Sequence, residues 1–329
     1  MSMVKHRKIQ SISSLKDGDT IDDIFVVKIK KSLMPYLKGF SFQLILTDNS
    51  GRSIEYKYWG SSDEKTVRAI HDLVNENDVI KIKGKVGRYN ENLQISANPP
   101  EHTLEVLREG DYDVSDFIRP AKRDTNQMYD EMLSYIEQIE NVAIKKFLVG
   151  MFNNEALREK FKTHPGAIEI HHNWVGGLLE HTLQILNYCE LSWKLFPELS
   201  KDLLIAGSIL HDIGKLRELE VTSRIRGSIE GQLIGHTTLG VMDIMNDLGK
   251  SEIEKEIQTK LLHMIVSHLG KAEWGAGKPP MFPEAEVLHH ADNMSSRIST
   301  MIEFVKDSKE TTKNEFNYHS RENKNIFLR

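Results

Sequence analysis

The stretch from Leu204 to Lys215 constrains this chain more than any other. It begins as an apolar helical run in which Ala206, Gly207 and Ser208 are small enough for close packing. It ends in three polar groups, His211, Asp212 and Lys215. An adjacent imidazole and carboxylate taken into a core without partners would cost several kcal/mol. A divalent cation bound to both satisfies them at once. A lone His-Asp pair is common and means little, but this one has company. His181 stands upstream in Gly177-Leu178-Leu179-Glu180-His181-Thr182, and Asp292 downstream in Val287-Leu288-His289-His290-Ala291-Asp292-Asn293.

From Met128 onward the pattern is helical almost to the end. Residues 128–152 carry apolar side chains at helical spacing, at Met132, Ile136, Ile139 and Val142. Further helices are expected over 173–195 with His181, 203–216 with the central pair, 235–248, 253–269 ending in His263 and His268, and 284–305 with Asp292. Gly176 and Gly177 stand one turn before His181, where helix propensity disfavours them, so another helix or a substrate is expected to approach closely there. Lys215 follows Asp212 by three residues and can share its helical face. As an ammonium it could hold a non-bridging phosphate oxygen in a transition state. The competing reading is a helix C-terminal lysine favoured by the dipole.

The order His…His-Asp…Asp, with Gly214-Lys215 following, resembles the HD-domain metal-dependent phosphohydrolases. The resemblance implies an all-α domain whose ligands His181, His211, Asp212 and Asp292 come from separate helices. Some members hold two ions, with the motif aspartate bridging and two more histidines on the second ion; His236 and His268 stand at those places. The implied cofactor is a pair of divalent ions, manganese first, with iron, cobalt, zinc or magnesium as alternatives that ligand type alone does not separate. His263, five residues before His268, falls off its face and reads as structural or supporting, while His289 shares the face of Asp292 and reads as support. His290 reads as surface. His171 and His172 offer either a phosphate contact or nothing.

The first hundred residues change period. Strands are expected at 24–29, 40–46 and 53–59, then a short amphipathic helix around 64–75, then a hairpin of 79–86 with 93–96. Asp48-Asn49-Ser50-Gly51 is a turn. Three strands, one helix and two strands is the order of a five-stranded OB barrel, and Leu46-Thr47-Asp48-Asn49-Ser50-Gly51…Trp59-Gly60 resembles OB-fold nucleic-acid-binding domains. Alternation puts Ile54, Tyr56 and Tyr58 on one face of the third strand and Glu55, Lys57 and Trp59 on the other. A cation beside an indole suits single-stranded nucleic acid, offering charge to phosphate and a flat ring to a base. Tyr89 is a second platform, with Lys85 and Arg88 nearby. The bland alternative has Trp59 capping the barrel and the lysines merely solvated.

A chain of 329 residues suggests two domains. The expected division is an OB domain over 1–105, a linker over 106–127, an HD domain over 128–309 and a tail over 310–329, which either moves freely or docks. Net charge is −5, yet residues 1–100 hold 16 Lys and Arg against 12 Asp and Glu, leaving 27 against 36 in the remainder. The basic excess therefore falls in the half that reads as a nucleic-acid module. One cysteine, Cys189, excludes an intramolecular disulfide and fits a reducing compartment. The N-terminus lacks the apolar segment of a signal peptide, and no run is long enough to span a bilayer. A cytoplasmic protein is expected.

Taken together, the OB barrel, the HD motif, His171-His172…Gly176-Gly177-Leu178…His181-Thr182 and His289-His290-Ala291-Asp292-Asn293 resemble the YhaM-type 3'-5' exoribonucleases over roughly residues 15–305. That resemblance implies trimming of single-stranded RNA, or DNA, from the 3' end to nucleoside 5'-monophosphates. Two other classes compete: a phosphohydrolase of small nucleotides whose barrel serves oligomer contact or regulation, and a non-catalytic nucleic-acid-binding factor. A homo-oligomer is compatible with each.

Overall fold

The computed structural model describes residues 6–90, 92–168, 172–320 and 322–329. They fall into two compact units, one running to Pro120 and taking in Val221–Arg224, the other comprising Ala121–Glu220 and Ile225–Arg329.

The first unit is a closed barrel. Its elements are β1 (Thr20–Lys30), β2 (Met34–Tyr36), β3 (Gly39–Thr47), β4 (Ser53–Trp59), α1 (Glu64–Leu73), β5 (Val79–Tyr89), β6 (Asn92–Ala97) and β7 (Leu104–Val106). The sheet runs β1-β3-β4-β6-β5, and β5 pairs back onto β1 from Thr20↔Lys85 to Val26↔Val79. β4 and β6 are parallel, as the OB topology requires. One strand serves two neighbours because the register of β1 shifts between Val27 and Ile29, and such a bulge bends a strand around a barrel corner. Phe25, Phe42, Leu44, Tyr56, Ile82 and Ile95 fill the interior. The turn after β3 is tied by Asp48, whose carboxylate accepts from Ser50 N at 2.9 Å and Ile12 N at 2.7 Å.

Residues 106–120, part of the expected linker, pack on this unit. β7 pairs with β5, and Leu107 and Phe117 bury against Ile24, Val26 and Val79 on the outside of the barrel. The physical reason lies in β1, which is apolar on both faces from Ile24 to Val27 and needs cover on both. The segment 32–36, left without assignment by its sequence, supplies β2 as an added strand on β3.

The second unit is helical: α2 (Thr125–Glu137), α3 (Val142–Phe152), α4 (Glu155–Thr163), α5 (Gly177–Leu195), α6 (Lys201–Leu210), α7 (Lys215–Glu218), α8 (Ile229–Ile234), α9 (His236–Lys250), α10 (Lys255–Ser267) and α11 (Pro283–Thr311). It is not purely helical, since β8 (Leu219–Val221) pairs with β9 (Ile225–Gly227). The continuous periodicity of 128–152 is two helices, because Asn141 caps α3 by accepting from Ala143 N at 3.0 Å and Ile144 N at 3.1 Å. α5 starts at Gly177 and not at 173, since Gly176 adopts φ 74°. A Cβ on Gly177 would lie 1.9 Å from the His172 carbonyl oxygen of the preceding loop, whereas one on Gly176 would lie 2.8 Å from Thr125 Cγ2 of α2 and 3.0 Å from the Lys162 carbonyl oxygen of α4, so the expected close approach of another helix is found at Gly176. The tail is no free end: β10 (Phe316–His319) and β11 (Lys324–Phe327) form a hairpin with Ile326 and Leu328 buried and the His319 ring 4.5 Å from that of Phe304 on α11.

Candidate metal centre and barrel face

Five helices and one turn converge on a buried polar centre. His181 comes from the second turn of α5, His211 and His268 cap the C-termini of α6 and α10, His236 opens α9, and Asp292 lies on α11. Asp212 begins the turn that joins α6 to α7. That turn is admitted by Gly214, where a Cβ would lie 2.0 Å from the His236 carbonyl oxygen, so the glycine lets the start of α9 close on the centre. Around Asp212 Oδ2 stand His181 Nε2 at 3.4 Å and His211 Nε2 at 3.3 Å, and Asp292 Oδ1 lies 3.2 Å from His181 Nε2. Around Asp212 Oδ1 stand His236 Nε2 at 3.5 Å and His268 Nε2 at 3.6 Å. Two ligand groups, His181–His211–Asp212 and Asp212–His236–His268, thus share one carboxylate.

The hydrogen bonds behind the imidazoles decide what their front atoms can be. His211 Nδ1 donates to the Ser208 carbonyl and His268 Nδ1 to the Ile265 carbonyl, each at 2.7 Å. His181 Nδ1 donates to Ser295 Oγ at 3.2 Å, which itself donates to Gln184 Oε1. His236 Nδ1 donates to Glu218 Oε1 at 2.9 Å. With every Nδ1 protonated, each neutral ring presents a bare Nε2 to the centre. Those lone pairs face one another at 3.2 Å between His181 and His211 and at 3.4 Å between His236 and His268, and they face carboxylate oxygens besides. Something positive has to lie between them. Burial pushes the His268 pKa down to about 3 and lowers that of His181, keeping both rings neutral. Burial also lowers that of His211, but the charges of Asp212 and Asp292 outweigh it and raise the net value. A divalent cation fits such a set of imidazoles and carboxylates, and divalent-metal binding is what an HD domain with this cluster implies.

Lys215 Nζ lies 2.7 Å from Asp212 Oδ2. Burial opposes both charges; Lys215 outweighs it to hold the Asp212 carboxyl far below the usual range, and Asp212 holds Lys215 above its own. Lys215 is the first residue of the four-residue α7. His289 donates Nδ1 to the His268 carbonyl at 2.8 Å and so supports a ligand's backbone. The His263 ring packs 5.4 Å from that of Phe282, and exposed His290 meets Glu286. His172 is buried with its ring 5.2 Å from that of His181, whereas His171 lies outside the described residues. Glu218 and Ser295 escaped the sequence reading. Ser295 follows Asp292 by three residues, a helical spacing that signals a shared face; Glu218 sits in a charged run that looks like any solvated helix end.

On the barrel, Lys57 Nζ lies 4.9 Å from the centroid of the half-buried Trp59 ring. Tyr36 of β2 meets the same ring edge-on at 4.9 Å. Registers Gln43↔Lys57, Lys57↔Ser96 and Lys85↔Ser96 set these residues in one outward row across β3, β4, β6 and β5. Tyr89 shares the alternation of Lys85 and is 62 % exposed. Arg88 has the opposite alternation, with its guanidinium 3.8 Å from Asp17. Glu55 accepts from both Gln43 Nε2 and Gln94 Nε2.

The helical unit is an HD domain: the family model described as "HD domain" matches residues 178–297, the span that contains all the centre's ligands. Among solved structures, the second OB-fold domain of replication protein A from Methanococcus maripaludis is 19 % identical, with a TM-score of 0.24, over 30 % of this chain and 95 % of that one. A replication protein A heterotrimer bound to single-stranded DNA is also 19 % identical, with a TM-score of 0.25, over 37 % of this chain and 29 % of that one. The whole chain has a fuller counterpart. It is 33 % identical over 287 residues, 86 % of its own length and 87 % of the relative's, to the 3'-5' exoribonuclease YhaM of Bacillus subtilis strain 168, and it belongs to the YhaM family of HD-domain metal-dependent hydrolases.

Proposed function

We propose that the protein is a 3'-5' exonuclease that shortens single-stranded RNA, and DNA of like form, releasing nucleoside 5'-monophosphates. One observation carries the reading: the two oxygens of Asp212 face two separate sets of imidazoles, the arrangement a pair of ions needs to act on one phosphodiester. His181, His211, Asp212 and Asp292 would hold one ion, and Asp212, His236 and His268 the other, with manganese the first choice. Such ions supply Lewis acidity for hydrolysis when bound. The chain's own residues do the rest. Lys215 offers its ammonium to a non-bridging phosphate oxygen. Lys57, Trp59, Lys85 and Tyr89 hold the strand by charge and stacking, and Arg88, beyond that row, adds charge at the hairpin's end. The buried thiol of Cys189 suits the reducing cytoplasm, where the protein is taken to act. Among the described residues no helix is long and apolar enough to cross a membrane.

The substrate separates this reading from a small-nucleotide phosphohydrolase. With manganese, 5'-labelled single strands are expected to shorten stepwise with release of 5'-monophosphates, and a stable duplex to slow the reaction. Intact oligonucleotide beside rapidly consumed free nucleotide would overturn the assignment.

A further inference from the structure

The four imidazoles of the centre are not held alike. Those of His181, His211 and His268 hand their Nδ1 protons to neutral acceptors, a hydroxyl and two backbone carbonyls. His236 hands its own to a carboxylate, Glu218 Oε1, at 2.9 Å, and the same oxygen takes the His236 backbone N–H at 3.0 Å.

The location explains why a carboxylate stands there. His236 is the first residue of α9, where unpaired N–H groups and the helix dipole put partial positive charge. A cation bound at that ring meets the wrong end of the helix, whereas His211 and His268 cap C-termini, where the dipole favours it. His236 is also the most open of the four, with 16 % of its side chain exposed against 3 % or less for the others. Glu218 answers both needs: its charge opposes the dipole, and its two hydrogen bonds fix the ring. Its own backbone is pinned in turn, since its carbonyl accepts from Ser228 N at 2.8 Å and a Cβ on Gly231 would lie 2.3 Å from that oxygen. The short helix α7 thus presents Lys215 to Asp212 from one end and Glu218 to His236 from the other.

We propose that Glu218 is the positioning residue of the second ion site, Asp212–His236–His268, and that its negative charge gives that site its affinity while leaving the site at His181–His211–Asp292 unaffected. The inference rests on the two-ion reading above. A carboxylate behind a ligating imidazole raises its basicity and fixes its orientation, and loss of such a partner weakens metal binding by roughly 10–100-fold.

The test is titration of the metal-stripped full chain with Mn(II), followed by calorimetry and by electron paramagnetic resonance, which distinguishes a single ion from a spin-coupled pair. Wild type is expected to bind two ions and give the coupled spectrum. Glu218→Gln keeps an oxygen for the hydrogen bonds but removes the charge; it is expected to bind the first ion as wild type does and the second about 10–100-fold more weakly. The single-ion spectrum should then persist to higher manganese. Glu218→Asp should recover part of the loss. Two ions bound by Glu218→Gln as tightly as by wild type would overturn the proposal alone. Equal weakening of both sites would overturn it in favour of a role in folding. A wild type that takes up only one ion would overturn the two-ion reading, and the proposal with it.

Discussion

Lys215 is the residue whose chemistry separates most cleanly from that of its neighbours. Its ammonium is paired with Asp212 at 2.7 Å and contributes no lone pair to the centre. Lys215→Ala is therefore expected to leave bound manganese close to its wild-type amount while kcat falls about 10²–10³-fold, the usual cost of one transition-state donor. Loss of metal in parallel with activity would reassign the lysine to holding Asp212. At this scale His181, His211, Asp212 and Asp292 stood out in the sequence because each lies in an apolar helical stretch, whereas His236 and His268 came only from the family resemblance. The structure brings those residues together. What stood behind them was not legible. Glu218 is one of two acidic residues in the run from Lys215 to Glu220, and nothing in that run says which side chain turns inward.

Among elements, the junction of α4 with α7 carries a pH dependence. His164, just past α4, is buried and donates Nε2 to the Lys215 carbonyl at 2.8 Å. Burial pushes its pKa down from 6.5 to about 4. The folded form therefore binds fewer protons than the unfolded chain between those values, so the stabilisation is complete above pH 6.5 and lost as pH falls toward 4. Between pH 7 and 5 the loss from this group should be about 2 kcal/mol, at about 1.36 kcal/mol per unit. Urea unfolding of metal-free protein at the two pH values measures it. His164→Gln, which keeps a donor and removes the titration, should shrink the difference by that amount; an unchanged difference would mean the loss arises elsewhere. Element existence was easier to read than element ends. Residues 128–152 look like one helix because apolar spacing continues through a break that only the cap at Asn141 reveals. β2 was hidden by Pro35 and the half-buried mix around it, and the cover over 106–120 by its mixed charge.

At the scale of the whole molecule, the proposed function gives each unit its own task, and the tasks can be measured apart. Trp59→Ala should weaken binding of a single-stranded oligonucleotide by about 1–3 kcal/mol, as seen when a base loses its stacking partner. Turnover of a small phosphodiester, which engages only the metal centre, should scarcely change. Equal losses on both substrates would show that Trp59 supports the barrel itself. One detail of the barrel face bears on how such an enzyme would travel. The amides of Gln43 and Gln94 are the groups best suited to reading base edges, and Glu55 already engages the NH2 group of both. What remains for a strand in the proposed row is the flat rings of Trp59 and Tyr89 and the ammonium groups of Lys57 and Lys85, none of which distinguishes one base from another, with Arg88 beyond it. If that row holds the strand as proposed, it grips without spelling: each step of the strand costs the same as the last, and no run of bases becomes a resting place.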